Sequence, residues 1–130
     1  MGDRPRERPD ERLSPDEKVR RRAEYQRCYR SGRRRGGPLA TLHYIANDHP
    51  HPRLGITASR KVGGAVIRNR LKRRIREVYR RWPGRSRLPA VDMVIHLKPT
   101  AREADFEHLR REMLRLLGGI GGPGKSPCGG

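Results

Sequence analysis

Acidic residues, cysteine and long apolar runs are all scarce in this sequence, and each scarcity removes a class of function. Only 14 of the 130 residues are Asp or Glu. Between Tyr25 and Val91 the carboxylates are Asp48, in a turn, and Glu77, set among arginines. Protein-borne hydrolysis through a metal needs clustered oxygen ligands, and no such cluster is in sight. His49 and His51 flank Pro50 in a loop, without a second acid or base nearby. A catalytic group on the protein is therefore not expected. Cys28 and Cys128 are far apart and resemble neither a disulfide framework nor a metal site. No apolar run approaches the length of a membrane span. Met1 to Arg12 lacks the apolar stretch of a signal peptide, so a cytoplasmic location is expected.

Positive charge fills the space. Thirty-two Lys and Arg give a formal net charge of +18 and a pI near 11.5. Such a field attracts polyanions, nucleic acid first and an anionic membrane second. Its self-repulsion destabilises a lone compact state and points to a polyanionic partner. Arginine outnumbers lysine by 27 to 5. Either genome composition or a demand for bidentate phosphate contacts and base stacking would produce that bias.

The chain is long enough for one domain with one modest core. Residues 1–14 and 118–130 have no hydrophobic period and are expected to be disordered tails, leaving 15–117 to fold. Ser14-Pro15-Asp16-Glu17 has the form of a helix start, and the first helix begins there or near Arg22 and ends before Gly32. RRRGGP at 33–38 reads as a loop. Residues 39–46 and 53–60 read as strands joined by the turn NDHPHP and are expected to pair as an antiparallel hairpin. In the second strand Leu54, Ile56 and Ala58 alternate with Arg53, Gly55, Thr57 and Ser59. A helix over 65–82, a strand over 91–98 and a helix over 105–117 complete the order. The last helix carries Phe106, Leu109, Met113 and Leu116 at helical spacing. The pattern predicts an α+β sandwich of helices packed on a small sheet.

The helix over 65–82 is the most informative segment. At about 100° per residue, Ile67, Val78, Leu71, Trp82 and Ile75 form one apolar stripe that docks it on a sheet. Arg68, Arg70, Lys72, Arg73, Arg74, Arg76, Arg80 and Arg81 fill the rest, offset only by Glu77. A merely solvated face would interleave acids four residues apart. A membrane-surface helix would need the apolar stripe that the core already uses. Consecutive Arg68, Asn69 and Arg70 point in three directions, as suits a helix start embedded in folded RNA. Free N–H groups of that first turn add to phosphate binding. Gly63 and Gly64 just before it let a backbone approach closely.

The run RLGITASRKVGGAVIRNRLKRRIREVYRR resembles the signature of the bacterial ribonuclease P protein subunit. AEYQRCYRSG upstream and VDMVIHLKPTAREADFEHLRREMLRLL downstream resemble that family's first helix and its last strand and helix. The likeness covers about 20–117. It implies a two-layer α-β sandwich like the second domain of ribosomal protein S5, in the order α-β-β-α-β-α with a left-handed βαβ crossover. General chain handedness alone would favour a right-handed one. It also implies a subunit of an endoribonuclease in which a catalytic RNA does the cutting. The protein then binds that RNA and precursor tRNA, assisting removal of the 5′ leader.

Carried over by residue, the resemblance implies RNA contacts at Arg60, Lys61, Arg68, Asn69, Arg70, Lys72, Arg73 and Arg76. A cleft for the single-stranded leader would involve Tyr25, Tyr29, Arg53 and Thr57. The spacing of Tyr25 and Tyr29 puts them on one helix face, which by itself fits a packed core as well as a stacking surface. Mg²⁺ is expected to be held mainly by the RNA, the protein alone to be a monomer, and no membrane to be involved. The sequence departs from the family pattern in three ways: Gly64 where an Asn is usual, Tyr25 and Tyr29 where Phe is common, and His43 where an aromatic is frequent. The competing reading is a non-enzymatic structural RNA-binding protein such as a ribosomal component, which gives no reason for an aromatic pair opposite the basic helix.

Overall fold

The computed structural model describes residues 17–120. The chain runs α1 (Arg22–Ser31), β1 (Arg33–Gly36), β2 (Ala40–Ala46), β3 (Arg53–Ala58), α2 (Ala65–Arg81), β4 (Val91–Leu97) and α3 (Phe106–Gly118). Short 3-10 turns at Pro83–Arg87 and Pro99–Glu103 flank β4. The strands form one sheet in the order β1-β2-β4-β3. β2 pairs antiparallel with β1 and β4, whereas β3 runs parallel to β4 with α2 as the crossover.

Two expectations are corrected here. The strands at 39–46 and 53–60 do not form a hairpin, because β4 lies between them. All of β4 except His96 is buried, and so apolar a strand takes an interior place with neighbours on both sides. The supposed loop at 33–38 contributes β1, an edge strand of three arginines and a glycine. Charge on an edge strand discourages further pairing, so a basic sequence there is compatible with strand. The α+β sandwich stands, with one more strand than expected.

Alternation along the strands separates two faces. On one, Leu42, Tyr44, Leu54, Ile56, Met93 and Ile95 meet Leu71, Ile75, Val78 and Tyr79 of α2 and Leu109, Met113, Leu116 and Leu117 of α3. Burying each such side chain contributes roughly 1.5–3 kcal/mol. On the other face, α1 sets Cys28 and Tyr25 against Val94, Ile45 and Val19. It covers only part of that face, and His43, Thr57 and His96 remain half-exposed. This uneven cover creates the cleft.

The helix ends follow local chemistry. α1 begins at Arg22, the later of the two expected starts, where the Glu24 carboxylate accepts the backbone N–H groups of Arg20 and Arg21. Residues 14–16 lie outside the described residues. α2 follows Gly63, whose φ of 153° is a conformation only glycine adopts readily, and it stops before Pro83. Its buried stripe is wider than expected, because Tyr79 joins it while Ile67 and Trp82 sit at its edges. Asp105 caps α3 by accepting the His108 N–H at 2.8 Å. Phe106 is not core: it lies at the rim, with the Arg74 guanidinium 5.9 Å above its ring. Ile120 is fully buried, so the core extends beyond the expected boundary at 117. No helix among the described residues is long and apolar enough to cross a membrane.

Candidate nucleic-acid interface

Tyr25 and Tyr29, one turn apart on α1, stand over the part of the sheet that α1 leaves open. Tyr25 packs closely on Gly55 of β3. A Cβ at Gly55 would come within 2.7–2.8 Å of the Tyr25 ring and hydroxyl, so the close approach requires glycine. Tyr29 is 40% exposed, although its hydroxyl is 2.8 Å from Thr57 Oγ1. The same Thr57 oxygen lies 2.8 Å from His96 Nδ1. His43 meets the Tyr29 ring edge-on at 4.7 Å between centroids, and His96 does so at 6.3 Å. The tyrosines are thus neither core nor loose: one is wedged, and the other is pinned by its hydroxyl with its ring presented outward. Burial pushes both phenol groups up, so they stay protonated donors at neutral pH.

Beside this wall runs a basic row. Arg68, Lys72 and Arg76 recur every four residues on α2 and are half-buried on one flank of the helix. Burial lowers the Lys72 ammonium, and the like charges of Arg76 and Arg68 lower it further. Arg76 is close enough to Tyr25 for each to perturb the other's ionisation. Arg68 also closes the turn before the helix, donating Nε–H to the Gly63 carbonyl at 3.1 Å. Crowded cations without a carboxylate in the row favour the arrival of phosphate. Arg60, Lys61, Asn69, Arg70 and Arg73 are exposed, in the turn and on the outer side of α2. The flank toward α3 is different. There Arg74 covers Phe106, and Arg81 pairs with Glu77 at 3.4 Å.

Arg53 does not belong with the cleft cations. It is 9% exposed, and all three guanidinium nitrogens face carboxylates: Nε and Nη2 on Asp92 at 2.8 Å, Nη1 on Glu24 at 3.2 Å. Its place is structural, tying β3 to β4 and to α1. Thr57 and the two tyrosines, which the resemblance assigned to the leader cleft, lie on one side of the sheet, with Tyr29 against Thr57 and Tyr25 over Gly55. Cys28 is buried on the sheet-facing side of α1, its thiol 3.6 Å from the Asp92 carbonyl and pushed up to about 12 by burial and the nearby Asp92 charge. Cys128 lies outside the described residues.

Sequence reasoning overlooked His96, and with it Asp92. Both sit in the apolar run of β4 at even positions with Val94, so the period of two already assigned them to one face. Their partners lie 39 residues away, which no local pattern discloses. Among the described residues no group of three or more His, Cys, Asp or Glu is placed to hold a metal ion.

A profile of the ribonuclease P family matches residues 13–121. The chain belongs to the ribonuclease P protein family. It is 39% identical over 106 residues to the ribonuclease P protein component of Syntrophobacter fumaroxidans, spanning 82% of this chain and 89% of that one. It is 36% identical over 121 residues to that of Streptomyces griseus, spanning 82% and 97%. The fold matches the ribonuclease P protein of Thermotoga maritima with a TM-score of 0.72 at 30% identity, covering 82% of this chain and 99% of that one. The Staphylococcus aureus ribonuclease P protein matches with a TM-score of 0.73 at 27% identity, covering 78% and 93%. The protein is a subunit of ribonuclease P, and membership of the family implies association with the ribonuclease P RNA.

Proposed function

We propose that the protein embeds the outer side of α2 in the catalytic RNA and holds the single-stranded 5′ leader of precursor tRNA in the cleft beneath Tyr25 and Tyr29. Arg60, Lys61, Asn69, Arg70 and Arg73 are the contacts to folded RNA. Arg68, Lys72 and Arg76 line the leader's path and neutralise its phosphates. Tyr29 stacks a leader base, an interaction worth roughly 1–3 kcal/mol. Mg²⁺ is held by RNA phosphates, and the RNA performs the cut. The protein's part is to position the substrate and screen the repulsion between two RNAs.

The observation that carries this reading is the exposed Tyr29 ring, pinned through Thr57 on a wall that also bears a basic row. An RNA-binding protein that only filled a structural niche would not need an aromatic held open beside its cations. Reconstitution tests it. The protein is mixed with a bacterial catalytic RNA and precursor tRNA at low Mg²⁺. Faster cleavage and tighter binding of precursor than of mature tRNA are expected. If the protein neither stimulates cleavage nor favours the leader-bearing substrate, the reading fails.

A further inference from the structure

The open end of the cleft is a connected chain of hydroxyl and imidazole groups. Thr57 Oγ1 sits between Tyr29 Oη and His96 Nδ1, 2.8 Å from each. Strand register puts Thr57 beside His96, and His43 beside Val94 one row along. Thr57 has one hydrogen to share between two partners, so the state of His96 sets the direction of the chain. When Nδ1 is unprotonated, Thr57 donates to it and Tyr29 donates to Thr57. The phenol hydrogen then points inward, and only oxygen lone pairs face the cleft. When both imidazole nitrogens are protonated, Nδ1–H donates to Thr57. Thr57 can then donate to the Tyr29 oxygen, which frees the Tyr29 O–H to face the cleft. Starting from the neutral tautomer that carries its hydrogen on Nε2, proton uptake converts this wall from hydrogen-bond acceptor to donor and adds a positive charge.

The charges around the pair are one-sided. Arg34 on β1 acts on His43, which burial, Arg34 and His96 together hold below the ordinary imidazole range. Lys98, two residues beyond His96, places its ammonium on the Gly37 carbonyl at 2.7 Å. Tyr29 from α1 and Thr57 from β3 complete the surroundings, and on α2 Arg76 is close enough to act on Tyr25. The carboxylates on this face, Glu24 and Asp92, are held by Arg53. Asp92 is four residues from His96 along β4, about 13 Å at roughly 3.3 Å per residue. An RNA phosphate is the counter-charge this corner lacks, and an anion beside an imidazole favours its charged form.

We propose that His96, with His43 beside it, makes the grip on the leader proton-linked: a leader phosphate settling against Tyr29 takes up a proton at this histidine pair. The inference rests on the leader-binding reading above and names a specificity element within it. Histidine is suited to the part because its charge ordinarily changes between pH 5 and 8.

The test uses the reconstituted holoenzyme with a non-cleavable precursor and with mature tRNA, at constant ionic strength from pH 8 to pH 6. The precursor-to-mature affinity ratio cancels titrations common to both RNAs, and comparison with His96→Gln removes that of the mature 5′ phosphate, whose second ionisation falls at about pH 6. The ratio should rise about three- to tenfold as pH falls, within the one-proton limit of about tenfold per pH unit. Calorimetry in two buffers of different ionisation heat should show more protons taken up with precursor than with mature tRNA. His96→Gln, which can still bond Thr57 but cannot titrate in this range, should flatten the dependence and reduce the extra uptake. A ratio that is above one yet independent of pH, with equal proton uptake, overturns the proposal and leaves leader binding intact. Unchanged slopes in both His96→Gln and the His43→Gln, His96→Gln double variant overturn it equally. A ratio of one at every pH removes the leader reading itself.

Discussion

Arg53 and Asp92 face each other across neighbouring parallel strands, joined by two hydrogen bonds of 2.8 Å. Asn47 donates to the same Asp92 carboxylate at 2.9 Å, and Glu24 reaches Arg53 from α1. One buried carboxylate therefore fastens β4 to β3 and to the loop before it, while Arg53 carries the tie on to α1. Removing it leaves the buried guanidinium with Glu24 as its remaining carboxylate, and breaking comparable buried pairs costs about 3–5 kcal/mol. Asp92→Ala should lower the unfolding free energy extrapolated from urea denaturation by that amount. Replacing both groups with apolar residues, Arg53→Met with Asp92→Leu, should recover most of it. If the double variant is no better than the single one, hydrogen bonds to Glu24 and Asn47 matter more than the pair.

Glu24 ties the same network to pH. Burial opposes its charge, but the N–H groups of Arg21 and Arg20 and the Arg53 guanidinium outweigh that and hold the carboxyl below its usual 4.5. A group depressed in the folded state contributes stability that is complete above its unfolded value and is lost as pH falls through the folded one. Glu24→Gln should thus be less stable than the parent at pH 7. The two should converge as pH drops below about 4.5 in denaturation curves followed by circular dichroism. A constant difference across that range would assign the effect to packing.

The aromatic wall gives a third expectation. Tyr25→Ala with Tyr29→Ala should weaken precursor binding by roughly 1–3 kcal/mol per stacked base and leave mature tRNA nearly unaffected. Tyr29→Phe keeps the ring but loses the bond to Thr57, and should fall between. Gly55→Ala attacks the same wall from below by driving a methyl into Tyr25. It should cost about 1–3 kcal/mol of stability, as overpacking does. Equal losses for precursor and mature tRNA in the double tyrosine variant would mean the rings merely pack.

α2 was legible because a single period carries it: apolar residues at helical spacing, cations everywhere else, and punctuation by Gly64 and Pro83. The sheet was less so. Two strands separated by a six-residue turn pair locally by default, and only competition with a more apolar strand 39 residues on reverses that default. β1 was hidden because RRRG carries no hydrophobic alternation. Its strand character comes from the neighbour Arg33–Gly36 finds in Thr41–Tyr44. In the cleft, the resemblance suggested Tyr25, Tyr29, Arg53 and Thr57 together, and only the fold shows Arg53 engaged by buried carboxylates. The Gly64 departure leaves the turn intact: Gly64 is the α2 N-cap, and a Cβ there would meet nothing within 4 Å.

The two flanks of α2 should separate in a salt titration. Lys72→Ala should reduce the slope of log affinity for precursor against log salt by about 0.7 to 1, the share of one phosphate contact. Arg74→Ala, whose guanidinium covers Phe106, should change the slope less while lowering stability slightly. Identical slopes for both variants would mean that the basic perimeter acts as an undifferentiated field.

The strand order also imposes a schedule. Tyr29 must meet Thr57, 28 residues later, and Thr57 must meet His96, 39 residues later still. During synthesis from the N-terminus, the first three strands have emerged before β4 exists to separate two of them. A ribosome that has released only the first 60 residues has delivered the aromatic pair and the edge of its support, with the middle plank missing. Contacts of such long reach form slowly. The cleft consequently cannot be finished until β4 has emerged, and a chain truncated before Val91 would keep most of its positive charge but have nowhere to seat a strand of RNA.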